Sequence, residues 1–187
     1  AFLIRGPNVM MGYWNNPAAT AAIISSDGWL NSGDIASIDA QGHVTITGRL
    51  KEIIVLSTGE KIPPADMEAA ILRDPLFEQA MLIGEARSYL SVMVVLNTAH
   101  WQNVVSQYGL DASLNTDQQR QQIEEILLDK ITEQTSEFPG YAKIRRVALI
   151  QESWSVENGL LTPTLKLKRA KVLEKYVREV ERLYAGH

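Results

Sequence analysis

"GRLKEIIVLSTGEKIPPADME", Gly48 to Glu68, is the stretch on which the fold turns. Two β-rich runs, Val44–Thr47 and Ile53–Leu56, flank its charged opening segment. A Ser57-Thr58-Gly59 turn follows, and Pro63-Pro64 ends the extended chain. From Asp66 to Arg73 the apolar residues Met67, Ala70 and Ile71 fall at helical spacing. Strand period gives way to helix period across a double proline, which marks entry into a domain that mixes both.

Downstream the alternation continues. "QAMLIGE" and "YLSVMVVLN" read as two strands joined by the polar "ARS", and Thr98 is placed to cap a helix through Tyr108. A second helix is predicted from Asp117 to about Ser136, with Ile123, Ile126, Leu127 and Ile131 on one face. "KIRRVALIQE" reads as another strand, and Lys168 to Tyr184 as one terminal amphipathic helix. Alternating strands and helices after residue 50 predict an α/β or α+β domain.

Upstream, residues 1–48 are rich in turn signals: Gly6-Pro7, Asn15-Asn16-Pro17, Asp27-Gly28 and Gly42. A short helix is predicted over Ala18–Ile24, with Asn16 as cap and Pro17 at its first position. These elements are too few to close a core. The opening "AFLIRGPNVMMGYW" shows neither an initiator methionine nor a signal peptide, so the chain is expected to be a piece of something longer.

Composition narrows the function classes. The 187 residues carry net charge −4, against a dedicated nucleic-acid binder. Absence of cysteine removes disulfides, thiolate metal sites and cysteine nucleophiles, and fits a cytoplasmic protein. No run approaches the roughly 18 apolar residues of a membrane span. His43, His100 and His187 are scattered, so a histidine metal site is not expected.

Three places carry possible chemistry. Asp34 follows Gly33, and Arg49 follows Gly48 fifteen residues later. An ionised carboxylate accepts hydroxyls, and a guanidinium suits ribose oxygens or phosphate. The same residues also read as an ordinary turn and hairpin. Ser57-Thr58-Gly59 either turns a hairpin or offers backbone amides to a ligand. Finally, "LTPTLKLKRAKVLEKY" (Leu161–Tyr176) gathers Lys166, Lys168, Arg169, Lys171 and Lys175 after a proline. Lys171 and Lys175 read as a solvated helix face, whereas Lys166 precedes the helix and could neutralise a phosphoryl group.

In order, "GYWNNPAAT" (12–20), "GWLNSGDIA" (28–36), the opening stretch and "LLTPTLKLKR" (160–169) resemble the adenylate-forming enzymes. The resemblance is to the C-terminal part of the long-chain fatty-acid–CoA ligase branch. It implies an α+β fold: a small mobile C-terminal domain, with a mixed sheet flanked by helices, after a β-rich tail of a large N-terminal domain. The boundaries it implies are 1–48 for the tail, 49–52 for a hinge and 53–187 for the lid. Fatty acid and ATP would give acyl-adenylate and diphosphate, and CoA would then displace AMP. The implied roles are catalytic for Lys166, nucleotide-binding for Asp34 and Arg49, and hinge for Lys51. Ser57, Thr58 and Gly59 match the loop lining the CoA tunnel, and Glu68 the glutamate of the next helix. ATP and Mg²⁺ would be held mainly by the N-terminal domain, which would supply the phosphate loop, adenine site and acyl tunnel. The enzyme would be cytoplasmic, in peripheral contact with membranes.

Three departures stand out. Thr164-Leu165 replaces the family's Ser-Gly before the lysine, and Ser32-Gly33-Asp34 replaces Thr-Gly-Asp. The stretch from about Leu110 to Phe138 is longer than in many relatives and reads as a packing helix. Other readings are a fatty-acyl–AMP ligase, an aryl-CoA ligase, or a non-catalytic module whose basic helix binds an acidic partner or anionic lipid.

Overall fold

The computed structural model describes residues 1–110 and 117–186 and divides into two units, Ala1–Ile53 and Ile54–His187. In the first unit β1 (Leu3–Ile4) pairs antiparallel with β2 (Leu30–Asn31). Helix α1 (Pro17–Ile23) starts as its sequence predicts: the Asn16 side chain accepts from the Ala19 N–H at 3.0 Å. β3 (Asp34–Ile38) and β4 (Val44–Arg49) form an antiparallel hairpin. Asp39 organises its turn, accepting from the backbone N–H of His43 (2.8 Å) and Gln41 (2.9 Å) and pairing with the His43 ring. Those bonds, the His43 N–H first, hold the Asp39 carboxyl below its usual range. None of residues 1–53 is buried, and Met11 and Trp14 are 103% and 98% exposed. The expectation that this piece closes no core is met.

The second unit opens with a small hairpin, β5 (Ile54–Val55) and β6 (Lys61–Ile62), leading into α2 (Pro64–Ile71). Its centre is a mixed sheet in which β8 (Leu90–Leu96) lies between β7 (Phe77–Ile83), antiparallel, and β9 (Ile144–Ile150), parallel. Strand period 2 sends alternate side chains to opposite faces. Ala80, Leu82, Leu90, Val92 and Val94 enter one core with α2, α3 (Thr98–Tyr108) and α4 (Asp117–Gln134). Met81, Ile83, Met93 and Val95 enter another with Trp154, Leu160, α5 (Arg169–Lys175) and α6 (Val177–Tyr184). Both faces are covered, so the strands are near-continuously apolar rather than alternating.

Helix α4 is the packing helix that the long stretch predicts. Ile123, Leu127 and Ile131 are 3%, 1% and 0% exposed, with Ile126 and Leu128 packed beside them. Ion pairs Glu124–Arg146 (2.6 Å) and Asp74–Lys130 (3.2 Å) flank that stripe. Residues 111–116 of the stretch lie outside the described residues.

Two expectations need correction. Asn97, not Thr98, caps α3, its side chain accepting from Ala99 and His100 N–H. The terminal helix is two helices, broken at Tyr176 (φ −109°, ψ 31°). Val172 on one side of the break, and Val180, Leu183 and Tyr184 on the other, enter the same core. Among the described residues no helix is long and apolar enough to cross a membrane.

Leu127→Ala should cost about 2–5 kcal/mol, because it empties a closed site in the core. Leu173→Ala, on the 38%-exposed side of α5, should stay within about 0.5 kcal/mol. Urea denaturation of the two variants checks the contrast. By hydrogen exchange, the β3–β4 hairpin should open far more often than β8, since only β8 is sealed on both faces. Equal protection of Ala36 and Val94 would contradict it.

Candidate active site

In the first unit the hairpin register assembles the expected carboxylate–arginine pair. A β-bulge between Ile35 and Ala36 shifts the pairing by one residue. Asp34 therefore stands opposite Arg49 rather than Gly48, and Arg49 Nε lies 3.1 Å from Asp34 Oδ1. Asp34 is the better ordered by its surroundings, with a side chain 17% exposed against 57% for Arg49. Its N–H donates to Ser32 Oγ, its C=O accepts from Phe2 N–H, and Gly33 takes φ +74° in the left-handed region. Such a half-exposed pair adds only about 0–1 kcal/mol to stability, so its geometry matters more than its energy. Together the two groups offer hydroxyl acceptors and a fork of donors on one edge. Lys51 sits just beyond, exposed, in a single turn of 3₁₀ helix over Leu50–Glu52.

The other expected residues belong to the second unit. Ser57, Thr58 and Gly59 turn the β5–β6 hairpin. The Ser57 N–H donates to Arg87 O, and Thr58 Oγ1 donates to the Glu60 carboxylate, holding that carboxyl below its usual range. Gly59 has φ +96° with open space where a Cβ would stand. Glycine is required there by the backbone turn, not by a close neighbour within this chain.

Lys166 ends a tight loop built from its own sequence. Leu161 and Leu167 form a bridge, Thr162 N–H donates to Lys166 O at 2.8 Å, and Lys166 N–H donates to Thr162 Oγ1 at 3.0 Å. Leu165, preceding the lysine, takes φ +59°, a conformation that leucine adopts only under constraint. The Lys166 side chain is exposed, and among the described residues no carboxylate pairs with it. It is a mobile cation on a fixed base.

Three side chains that sequence reasoning did not single out hold that base. The Gln79 amide bonds both Trp154 N–H (2.6 Å) and Trp154 C=O (2.9 Å), fixing the approach to the loop. Asn158 accepts from Ser155 N–H and closes the next turn, after which Leu160 is buried. On the exit side, Arg169 Nη1 meets Glu68 Oε1 at 2.7 Å, and Arg169 Nη2 donates to Leu82 O at 2.6 Å. One signal pointed to Arg169. A cation at the first position of a helix faces the unfavourable end of the helix dipole, so it needs another partner. Lys168 caps that helix without a side-chain bond, and Lys175 pairs with exposed Glu152 at 2.6 Å. The solvated-face reading holds for Lys175. Among the described residues no cluster of His, Cys, Asp or Glu is suited to a metal ion.

Comparison with known proteins identifies relatives of the chain. The chain is 34% identical to a putative fatty-acid–CoA ligase of Mycobacterium tuberculosis, over 99% of this chain and 33% of that protein. It is 31% identical to a chloroplastic long-chain-fatty-acid–[acyl-carrier-protein] ligase of Arabidopsis thaliana, over 97% of this chain and 25% of that protein. Among solved structures, it superimposes on the adenylation domain of a carboxylic acid reductase from Segniliparus rugosus, solved with AMP and a co-purified carboxylic acid. There the TM-score is 0.81 at 27% identity, covering 98% of this chain and 27% of that one. The chain thus spans about a quarter to a third of the length of the curated relatives it matches. Residues 51–187 match the family described as AMP-binding enzyme C-terminal domain, and the chain belongs to that family of adenylate-forming enzymes.

Proposed function

We propose that this chain is the C-terminal portion of an AMP-forming long-chain fatty-acid–CoA ligase. The observation that carries the reading is Lys166: an exposed ammonium without a carboxylate partner among the described residues, on a loop held by bonds at both ends. Charge grows on phosphorus oxygens as a carboxylate attacks the α-phosphate of ATP and diphosphate leaves. A preorganised cation at that point lowers the barrier by electrostatics rather than by covalent chemistry. The acyl-adenylate then gives up AMP to the thiol of CoA.

In this scheme Asp34 accepts the ribose hydroxyls and Arg49, aligned by the hairpin register, donates to the same nucleotide. Residues 1–48 act as the tail of a large N-terminal domain, and 53–187 as the lid. Lys51, in the 49–52 segment, is the hinge about which the lid swings between half-reactions. The Ser57–Gly59 turn lines the path of the pantetheine arm after that swing. ATP and Mg²⁺ would be held mainly by the N-terminal domain; among the described residues no cluster of three or more His, Cys, Asp or Glu that could hold a metal ion is present. The exposed Met11 and Trp14 suit a unit that completes its packing against further protein. We place the enzyme in the cytoplasm, in peripheral contact with membranes. A second acceptor is favoured by one observation. The relative that ligates to acyl carrier protein matches nearly the whole chain, so a carrier-bound phosphopantetheine thiol is the alternative to CoA.

In the enzyme carrying this chain, Lys166→Ala should slow adenylation on the order of 10²- to 10³-fold. ATP–diphosphate exchange measures that step. Thioester formation from supplied acyl-adenylate should stay nearly unchanged. Gly59→Leu should do the converse, blocking thioester formation and sparing adenylation, because the side chain narrows the path and strains the turn. Equal loss in both half-reactions for both variants would overturn this division of labour.

A further inference from the structure

We infer that Glu68 and Arg169 form the positioning pair for Lys166, an inference that rests on the reading of Lys166 above. β7 is an outer strand of its sheet, so at Leu82 its outward N–H and C=O have no neighbouring strand. Glu68 Oε1 accepts from Leu82 N–H at 2.7 Å, and Arg169 Nη2 donates to Leu82 C=O at 2.6 Å. Their mutual contact at 2.7 Å closes the ring. The two side chains thus present to Leu82 the acceptor and donor that a fourth strand would have offered. One charged pair at once finishes a sheet edge and fastens the loop to the core.

The consequence for Lys166 follows from chain geometry. Arg169 lies three residues beyond the lysine, so the lysine Cα stays within about 10 Å of the arginine Cα, and pinning the guanidinium limits where both can lie. The hairpin bonds between Thr162 and Lys166, and from Lys168 N–H to Leu160 O, remove most of the remaining freedom. The pair spans 101 residues and joins three elements, α2, β7 and the start of α5. Its side chains are only 21% and 16% exposed, so the bonds are shielded from solvent. Simple stability does not call for charge here: well-packed apolar side chains are often as stabilising as a buried ion pair. What the pair adds is direction, because the planar guanidinium bonds the carboxylate and the strand carbonyl at fixed angles.

The test uses Arg169→Met, Arg169→Lys and Glu68→Gln. In this chain, Arg169→Met should leave the circular dichroism of the fold intact. It should speed hydrogen exchange at both the Leu82 and Lys166 amides roughly tenfold or more, through loss of a charge-assisted bond. In the enzyme carrying the chain, it should lower kcat of adenylation on the order of 10²-fold, as a misplaced catalytic group does. KM for ATP and the thioester half-reaction should hold. Arg169→Lys, which keeps the charge but not the fork, should recover part of the rate. The decisive measurement is the double variant: Lys166→Ala with Arg169→Met should be no slower than Lys166→Ala alone, since a positioning residue acts only through its target. Multiplying losses in the double variant, or unchanged Lys166 exchange in Arg169→Met, would overturn the inference. If Arg169→Met fails to fold, Glu68→Gln, nearly isosteric, decides by the same readouts. Should Lys166→Ala itself leave adenylation intact, the role of the lysine falls, while the exchange data still report whether the pair holds the loop.

Discussion

Strand β8 has no side open to water. Leu90, Val92 and Val94 enter one core, Met93 and Val95 the other, and both long edges are hydrogen-bonded, to β7 and β9. Each such side chain contributes about 1.5–3 kcal/mol on burial, so this strand concentrates much of the driving force of the second unit. Its two cores must each be roofed, by α2, α3 and α4 on one side and by α5, α6 and the 154–160 connection on the other. The roof elements are thereby fixed, and so are the loops between them. Lys166 lies where the chain passes from the connection into α5, which is why a loop of solvent-exposed residues has a rigid footing.

Charge plays a subsidiary part in holding the unit together and a larger one in aiming it. The exposed pairs, Lys175–Glu152 and Arg73–Glu137 among them, add little to stability in water. The less exposed pairs join separate elements. Glu124–Arg146 ties α4 to β9, Lys130–Asp74 ties α4 to the end of α2, and Glu68–Arg169 completes the β7 edge. In the first unit, by contrast, nothing is buried, and the Asp34–Arg49 alignment rests on a hairpin register set by one bulge.

The sheet and most helices were legible in the sequence because their apolar periods are clean and bounded by prolines, glycines and caps. The Asn16 cap of α1 is an instance, whereas α2, read over Asp66–Arg73, spans Pro64–Ile71. The break at Tyr176 was not legible: no proline or glycine marks it, and the charged pattern runs through it unchanged. Tyr176, at the break, packs against the same core that Val172 and Leu183 enter. Asn97 and Thr98 are adjacent cap formers, so the choice between them lay in backbone geometry alone. Of the candidate site, the proximity of Asp34 and Arg49 was half-visible in the hairpin-like stretch between them. The meeting of Glu68 and Arg169 was invisible, since no local spacing relates residues 101 apart.

Leu165, at φ +59°, holds a backbone conformation that glycine adopts without strain. A side chain in that region costs about 1–3 kcal/mol of local strain. Glycine would avoid the strain but lose more freedom on folding, by roughly 0.5–1 kcal/mol. The two costs oppose each other in the balance between folded and unfolded chain, and they leave different loops behind. Glycine crosses between left- and right-handed backbone easily, whereas leucine, once seated, has a narrow well and a steep exit. The residue at this position therefore sets how widely the lysine wanders on its footing. A single side chain there alters the stiffness of the loop as well as the stability of the fold.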